Sequence, residues 1–180
     1  MDTAPLRRRE MGAAMKIQML PKAPNWAAPD LCLYEEAGLL HRDAGLSAVV
    51  QSHSGSLAHL VTPWPGAKPE DQSRMAARGA EWARWMAALG LTVVAPIVQI
   101  AAIQSEDSDA GVSCDGLCPA DLAGWQHWSI PIAAACAGLI VPPLPGWDRC
   151  PWVWAHVRDA LMRNRRVSLI QPGFGIGGAL

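Results

Sequence analysis

The stretch GLIVPPLPGWDRCPWVWAHVRDALMRNRRVSLIQ, residues 138–171, decides the fold. It reads as strand, turn, helix, strand. Residues 138–144 form an apolar run closed by Pro145-Gly146, and residues 166–171 form another, stopped by Pro172-Gly173. Between them, residues 151–162 start on a proline, which a first helical turn tolerates. They run out into Arg163, Arg165 and Arg166, whose charge suits the carboxyl end of a helix. Two apolar strands joined by a helix of this length are the repeating unit of a parallel sheet.

Working outward, the same grammar recurs upstream. Leu57-Ala58-His59-Leu60-Val61 is a short apolar run halted by Thr62-Pro63-Trp64-Pro65-Gly66, as expected of a buried strand and its loop. Pro69 and Glu70 then begin a helical stretch in which Met75, Trp82, Trp85, Met86 and Leu89 share one face, with Gly90 as the stop. Residues 91–95 read as a second strand, ended by Pro96. Residues 104–122 are polar and read as a loop. Residues 125–137 read as a helix that either begins at Ser129 or is kinked by Pro131. The alternation predicts a three-layer, Rossmann-like or flavodoxin-like α/β domain with a short parallel sheet of four to five strands. Its expected span is residues 56–173, flanked by an irregular N-terminal extension (1–55) and a Gly-rich tail (174–180). Within the extension, residues 31–44 have room for one short helix, and residues 51–56 read as a linker.

Composition narrows the function. The net charge of −1 gives no electrostatic reason to expect nucleic acid or an anionic membrane as partner. Prolines at 131, 142, 143 and 145 break the one long uncharged stretch, so no membrane span is expected there. Five irregularly spaced cysteines do not form a disulfide framework. The first residues lack the apolar run of a secretory signal, and Arg7–Arg9 are followed by Glu10 and Lys16 rather than by the apolar segment of a twin-arginine signal. A cytoplasmic protein without a cofactor is the expectation. Nine Trp against one Tyr and one Phe point to buried aromatic sites or to contacts between copies, and a homo-oligomer is expected.

In a parallel sheet, ligands sit beyond the carboxyl ends of the strands. Here that rim comprises Thr62, Pro63 and Trp64, then Pro96 with residues 97–99, and residues 145–152, which include Gly146, Trp147, Asp148 and Trp152. These are the candidate ligand-binding residues. A base stacked on a rim tryptophan and tryptophans that merely line a collapsed pocket are both open readings. Cys114, Cys118 and His127 offer three metal ligands without an evident fourth, so no metal site is assigned.

Several of these segments, in order, resemble a domain of unknown function related to the nucleoside 2-deoxyribosyltransferases. Thr62-Pro63-Trp64 stands where the family has a Ser-Pro-Tyr or Gly-Pro-Tyr turn, and Ala95-Pro96-Ile97 where it has Ser-Pro-Ile. Ala134-Ala135-Cys136 precedes the strand Leu139-Ile140-Val141, and Leu144-Pro145-Gly146-Trp147 is similar to the family's Leu-Pro-Gly-Trp turn. The resemblance covers residues 57–172. It implies a nucleoside or nucleotide ligand and cleavage of an N-glycosidic bond by a Glu nucleophile with a supporting Asp, because a glycosyl intermediate needs an anion beneath the sugar. The Glu position falls on His156, the Asp position on Ser129, and an Asp-Glu pair of the family on Ala137-Gly138. His156 and, one helical turn on, Asp159 are therefore the candidate catalytic residues. Asp148 is a candidate for a ribose hydroxyl or for a helix cap. Two functions compete: an altered N-glycoside enzyme, which wants a carboxylate near His156, and a catalytically degenerate member acting in ligand binding or assembly, which wants an acid-free or occluded cleft.

Overall fold

The computed structural model describes residues 20–64, 68–110 and 121–173. Five parallel strands form one sheet: β1 (Leu40–Ala44), β2 (Leu57–Leu60), β3 (Thr92–Val94), β4 (Gly138–Val141) and β5 (Arg166–Ile170). Their spatial order is β1-β5-β4-β2-β3. The helices are α1 (Leu31–Glu36), α2 (Leu46–His53), α3 (Pro69–Ala88), α4 (Pro96–Ala110), α5 (Leu122–Ala135) and α6 (Pro151–Met162), with one 3-10 turn at Trp147–Arg149. No helix among the described residues is long and apolar enough to cross a membrane.

Period-two alternation along the strands divides the core into two layers. Ala58, Leu60, Ile140 and Ile170 pack with Val49 of α2 and Trp82 and Met86 of α3. Val61, Leu139, Val141, Val167 and Leu169 face the other way, onto Trp125 of α5 and Trp152, Val153, Val157 and Leu161 of α6. Each such aliphatic side chain taken fully out of water contributes about 1.5–3 kcal/mol. β4 is buried along its whole length, which explains why it is an uninterrupted apolar run.

The expected helix over residues 151–162 is α6, and the apolar runs upstream and downstream are β2, β3, β4 and β5. Three local expectations need correction. Part of the stretch read as an irregular extension and linker is ordered into α1, β1 and α2. β1 lies at the sheet edge beside β5, and its central His41, Arg42 and Asp43 are not buried, so it lacks the apolar signature of an inner strand. Asp43 adopts φ +48°, where the β1–β5 register shifts. Secondly, Pro96 does not only end β3. It opens α4, which runs through Ala110 and occupies the first part of the stretch read as a loop. Thirdly, of the two readings of residues 125–137 the start at Ser129 is the one to discard: α5 begins at Leu122 and runs through Pro131. Asp121 caps it, accepting the Gly124 N–H at 2.9 Å, and the Pro131 ring faces solvent inside the helix.

One close approach depends on a missing side chain. His53 of α2 lies against β4 so tightly that a Cβ on Gly138 would meet its Cε1 at 2.6 Å. The ring is held there by Ser168 of β5, with which its Nε2 shares a 3.0 Å hydrogen bond. Burial first, then the charges of Arg166 and His41, push the His53 pKa down to about 4, so the ring is neutral at neutral pH.

Candidate functional site

From β2 the chain runs out to β3 on one side and then returns to β4 on the other. The β2/β4 junction is thus the topological switch point, the place beyond the strand ends where parallel α/β sheets commonly hold their ligands. Two segments follow the strands there, Thr62-Pro63-Trp64 after β2 and the stretch leading from β4 through Gly146 into α6. Gly146 takes φ +80°, a conformation that suits glycine, and so turns the chain into the Trp147–Arg149 segment.

Most of the candidate rim residues converge here. Trp64 is half-buried and tilted over Trp152, with ring centroids 5.1 Å apart, and its backbone N–H donates to Cys150 Sγ at 3.2 Å. Thr62 and Pro63 are buried beside them, and Thr62 Oγ1 meets no hydrogen-bond partner among the described residues. Trp147 is half-buried, whereas Gly146 and Asp148 are exposed. Pro96 is buried at the start of α4, beyond β3.

Beneath Trp152 the aromatic stack continues inward. The His156 ring lies 4.5 Å from Trp152, and the His59 ring 4.8 Å from His156, both edge to face. Ser129 of α5 is fully buried, and its Oγ stands 3.4 Å from His156 Nε2. The Ser129 hydroxyl donates to the Gln126 carbonyl at 2.8 Å, so His156 Nε2–H is the donor toward Oγ. The two positions at which the resemblance expects carboxylates therefore meet, and both hold neutral groups. Burial pushes the His156 pKa down to about 4 against the opposing pull of Asp159. Asp159 lies beside His156 but is paired: both its oxygens accept from Arg163 Nε at 2.9 Å on the helix surface.

His59 is the residue that reading the rim missed. It occupies a sheet row with Leu139 and Val167, as the one polar member among aliphatic neighbours. Neither ring nitrogen has a hydrogen-bond partner among the described residues. Burial, then the neighbouring His156, push its pKa well below the usual value. A cavity of about 10 Å³ lies beside it, bounded by His156, Asp159, Leu139 and Arg165. That volume is room for about one water, a fitting partner for an imidazole. The signal available in the sequence was a histidine centred in the apolar run 57–61. Among the described residues no group of three His, Cys, Asp or Glu side chains converges to hold a metal ion, and Cys114 and Cys118 lie outside those residues.

Fold and site together define a parallel α/β protein with packed tryptophans at its switch point and a neutral, buried Ser-His-His cluster below. Residues 56–171 match the model of the family described as Domain of unknown function (DUF1937), and the chain belongs to that family. The match begins after β1 and α2, although β1 completes the sheet. Among curated proteins and among solved structures nothing matches the chain.

Proposed function

We propose that this chain is a nucleoside 2-deoxyribosyltransferase-like protein that binds a nucleoside or nucleotide at the β2/β4 switch point without cleaving its N-glycosidic bond. The contact between Ser129 Oγ and His156 Nε2 carries this reading. An oxocarbenium-like centre needs a carboxylate close beneath it. A buried neutral imidazole and a hydroxyl supply no negative charge, and Asp159 is engaged by Arg163. The half-buried Trp64 and Trp147 supply aromatic surface at the rim on which a base can stack. Cys32, Cys136 and Cys150 are free thiols, in keeping with a reducing cytoplasm.

The test is incubation with deoxyadenosine, deoxycytidine, AMP and CMP, following free base by chromatography and the melting temperature in parallel. No base is expected above the blank. At a hundredfold excess over Kd, the bound ligand stabilises by about 2.7 kcal/mol, a rise of roughly 5–10 °C for a chain of this size. Base release that disappears in His156→Ala would restore the enzyme. A melting temperature indifferent to all four compounds would remove the ligand and leave an assembly role.

A further inference from the structure

The segment 20–28, ahead of α1, is a strap across the start of α6. It is irregular, with one Ala28 N–H to Asn25 carbonyl turn of 3.2 Å. Leu20 and Ala28 are buried beneath it. Its Trp26 enters a slot between two tryptophans, its ring centroid 4.8 Å from that of Trp147 and 4.9 Å from that of Trp154, edge to face on both. The Trp26 indole N–H donates to the Asp148 carbonyl at 2.5 Å, and the Trp154 indole N–H donates to the Pro21 carbonyl at 2.8 Å. The strap thus holds the Gly146–Arg149 turn, which lies beyond the end of β4, through an aromatic ring and a single N–H donor.

We infer that the slot between Trp147 and Trp154 is the base-recognition site of the ligand and that Trp26 is its built-in competitor. The inference rests on the ligand-binding reading above and adds the place and the control. A flat heteroaromatic ring with an N–H edge, such as the amino edge of adenine or cytosine, can reproduce what Trp26 presents: edge-to-face contacts with Trp147 and Trp154, and a donor to the Asp148 carbonyl. Trp26 remains half-buried, and its neighbours Asn25 and Ala27 are exposed, while the buried Leu20 and Ala28 anchor the two ends of the strap. Withdrawal of the Trp26 ring alone gives up its two ring contacts and the hydrogen bond to Asp148, the same contacts a bound base would replace. A ligand must displace it, and its apparent affinity is lowered by the fraction of molecules whose slot is filled.

The experiment titrates adenosine and AMP into the full-length chain and into Trp26→Ala and Trp26→Phe by calorimetry, with circular dichroism to verify folding. Trp26→Ala is expected to bind about tenfold more tightly than the unaltered chain. Trp26→Phe, which keeps a ring but loses the donor to Asp148, is expected to fall between them, and it decides the matter if the alanine variant does not fold. Equal affinity in all folded forms overturns the slot while leaving a ligand site elsewhere at the switch point. Binding by none overturns the slot and the ligand reading together. Base release by Trp26→Ala, with the affinity gain, sustains the slot and overturns only the loss of chemistry.

Discussion

Lowering the pH from 7 to 4 is expected to remove a large part of this protein's stability through its buried histidines. His53 and His156 titrate near 4 in the folded chain, against about 6.5 in an unfolded one. Between those values the unfolded state binds the additional protons, so stability falls with pH through that window. It is complete above about 6.5, and the loss is complete once the folded rings themselves protonate. A displacement of 2.5 pH units, at about 1.4 kcal/mol per unit, corresponds to roughly 3.5 kcal/mol for each ring in full, of which roughly 3 is lost by pH 4. Two rings amount to roughly 6 kcal/mol, with His59 lowered in the same direction, against a total stability of about 5–15 kcal/mol for an ordinary domain. Urea denaturation at pH 7.5, 6, 5 and 4.5 measures this, with about 4 kcal/mol lost by pH 5. His156→Gln, which cannot take up the proton, is expected to reduce the slope near pH 5 by about 1.2 kcal/mol per pH unit. Stability constant to about 1 kcal/mol between pH 7 and 5 would refute the buried, neutral state of these rings.

The remaining predictions concern single contacts. Gly138→Ala improves strand propensity by about 0.5–1 kcal/mol. It also drives a Cβ to 2.6 Å from the pinned His53 ring, and overpacking of this kind costs about 1–3 kcal/mol. Net destabilisation in urea is therefore expected, and it should shrink in a His53→Ala background, where the Arg166 carbonyl at 3.0 Å still crowds the added Cβ; stabilisation in the unaltered background would contradict the packing. Asp159→Asn removes the carboxylate that draws the His156 pKa upward, so the ring should titrate lower still by NMR, at a stability cost within about 0.5 kcal/mol for an exposed i,i+4 pair. An unmoved titration would mean that Asp159 does not act on the ring. Trp154→Phe loses the N–H donated to Pro21 and opens space in a fully buried site, for about 2 kcal/mol. Hydrogen exchange should quicken across residues 20–28, and unchanged exchange there would show that the strap is anchored by other contacts.

The inner strands and α6 were legible because their environment is uniform. Residues 138–141 and 167–170 are buried on both faces, and only a continuous apolar run satisfies that. β1 was not legible, since an edge strand ending in a register shift carries His41, Arg42 and Asp43 where alternation would be sought. α4 was hidden for a different reason. Proline both halts a strand and suits a first helical turn, and Pro96 does both at once. At the site, the resemblance singled out Ser129 and His156 separately, but nothing local says that a residue on α5 and another 27 positions later on α6 stand 3.4 Å apart. His59 carried a signal, a histidine inside an apolar run, whose meaning depended on the second histidine packed against it.

Sequence alone determined the layer architecture, because burial writes itself into periodicity: two residues for a strand, 3.6 for a helix, and proline or glycine where neither can continue. It also determined which chemical groups are available, a serine at 129 and histidines at 59 and 156. Tertiary structure alone decided the state of those groups. Packing α5 and α6 over one face of the sheet removes water from His59 and His156 and holds both rings neutral. It likewise brings Trp26 to Trp147 and Asp148, more than a hundred residues away along the chain. Protonation and long-range contact depend on what surrounds a side chain in space, and only folding supplies those surroundings.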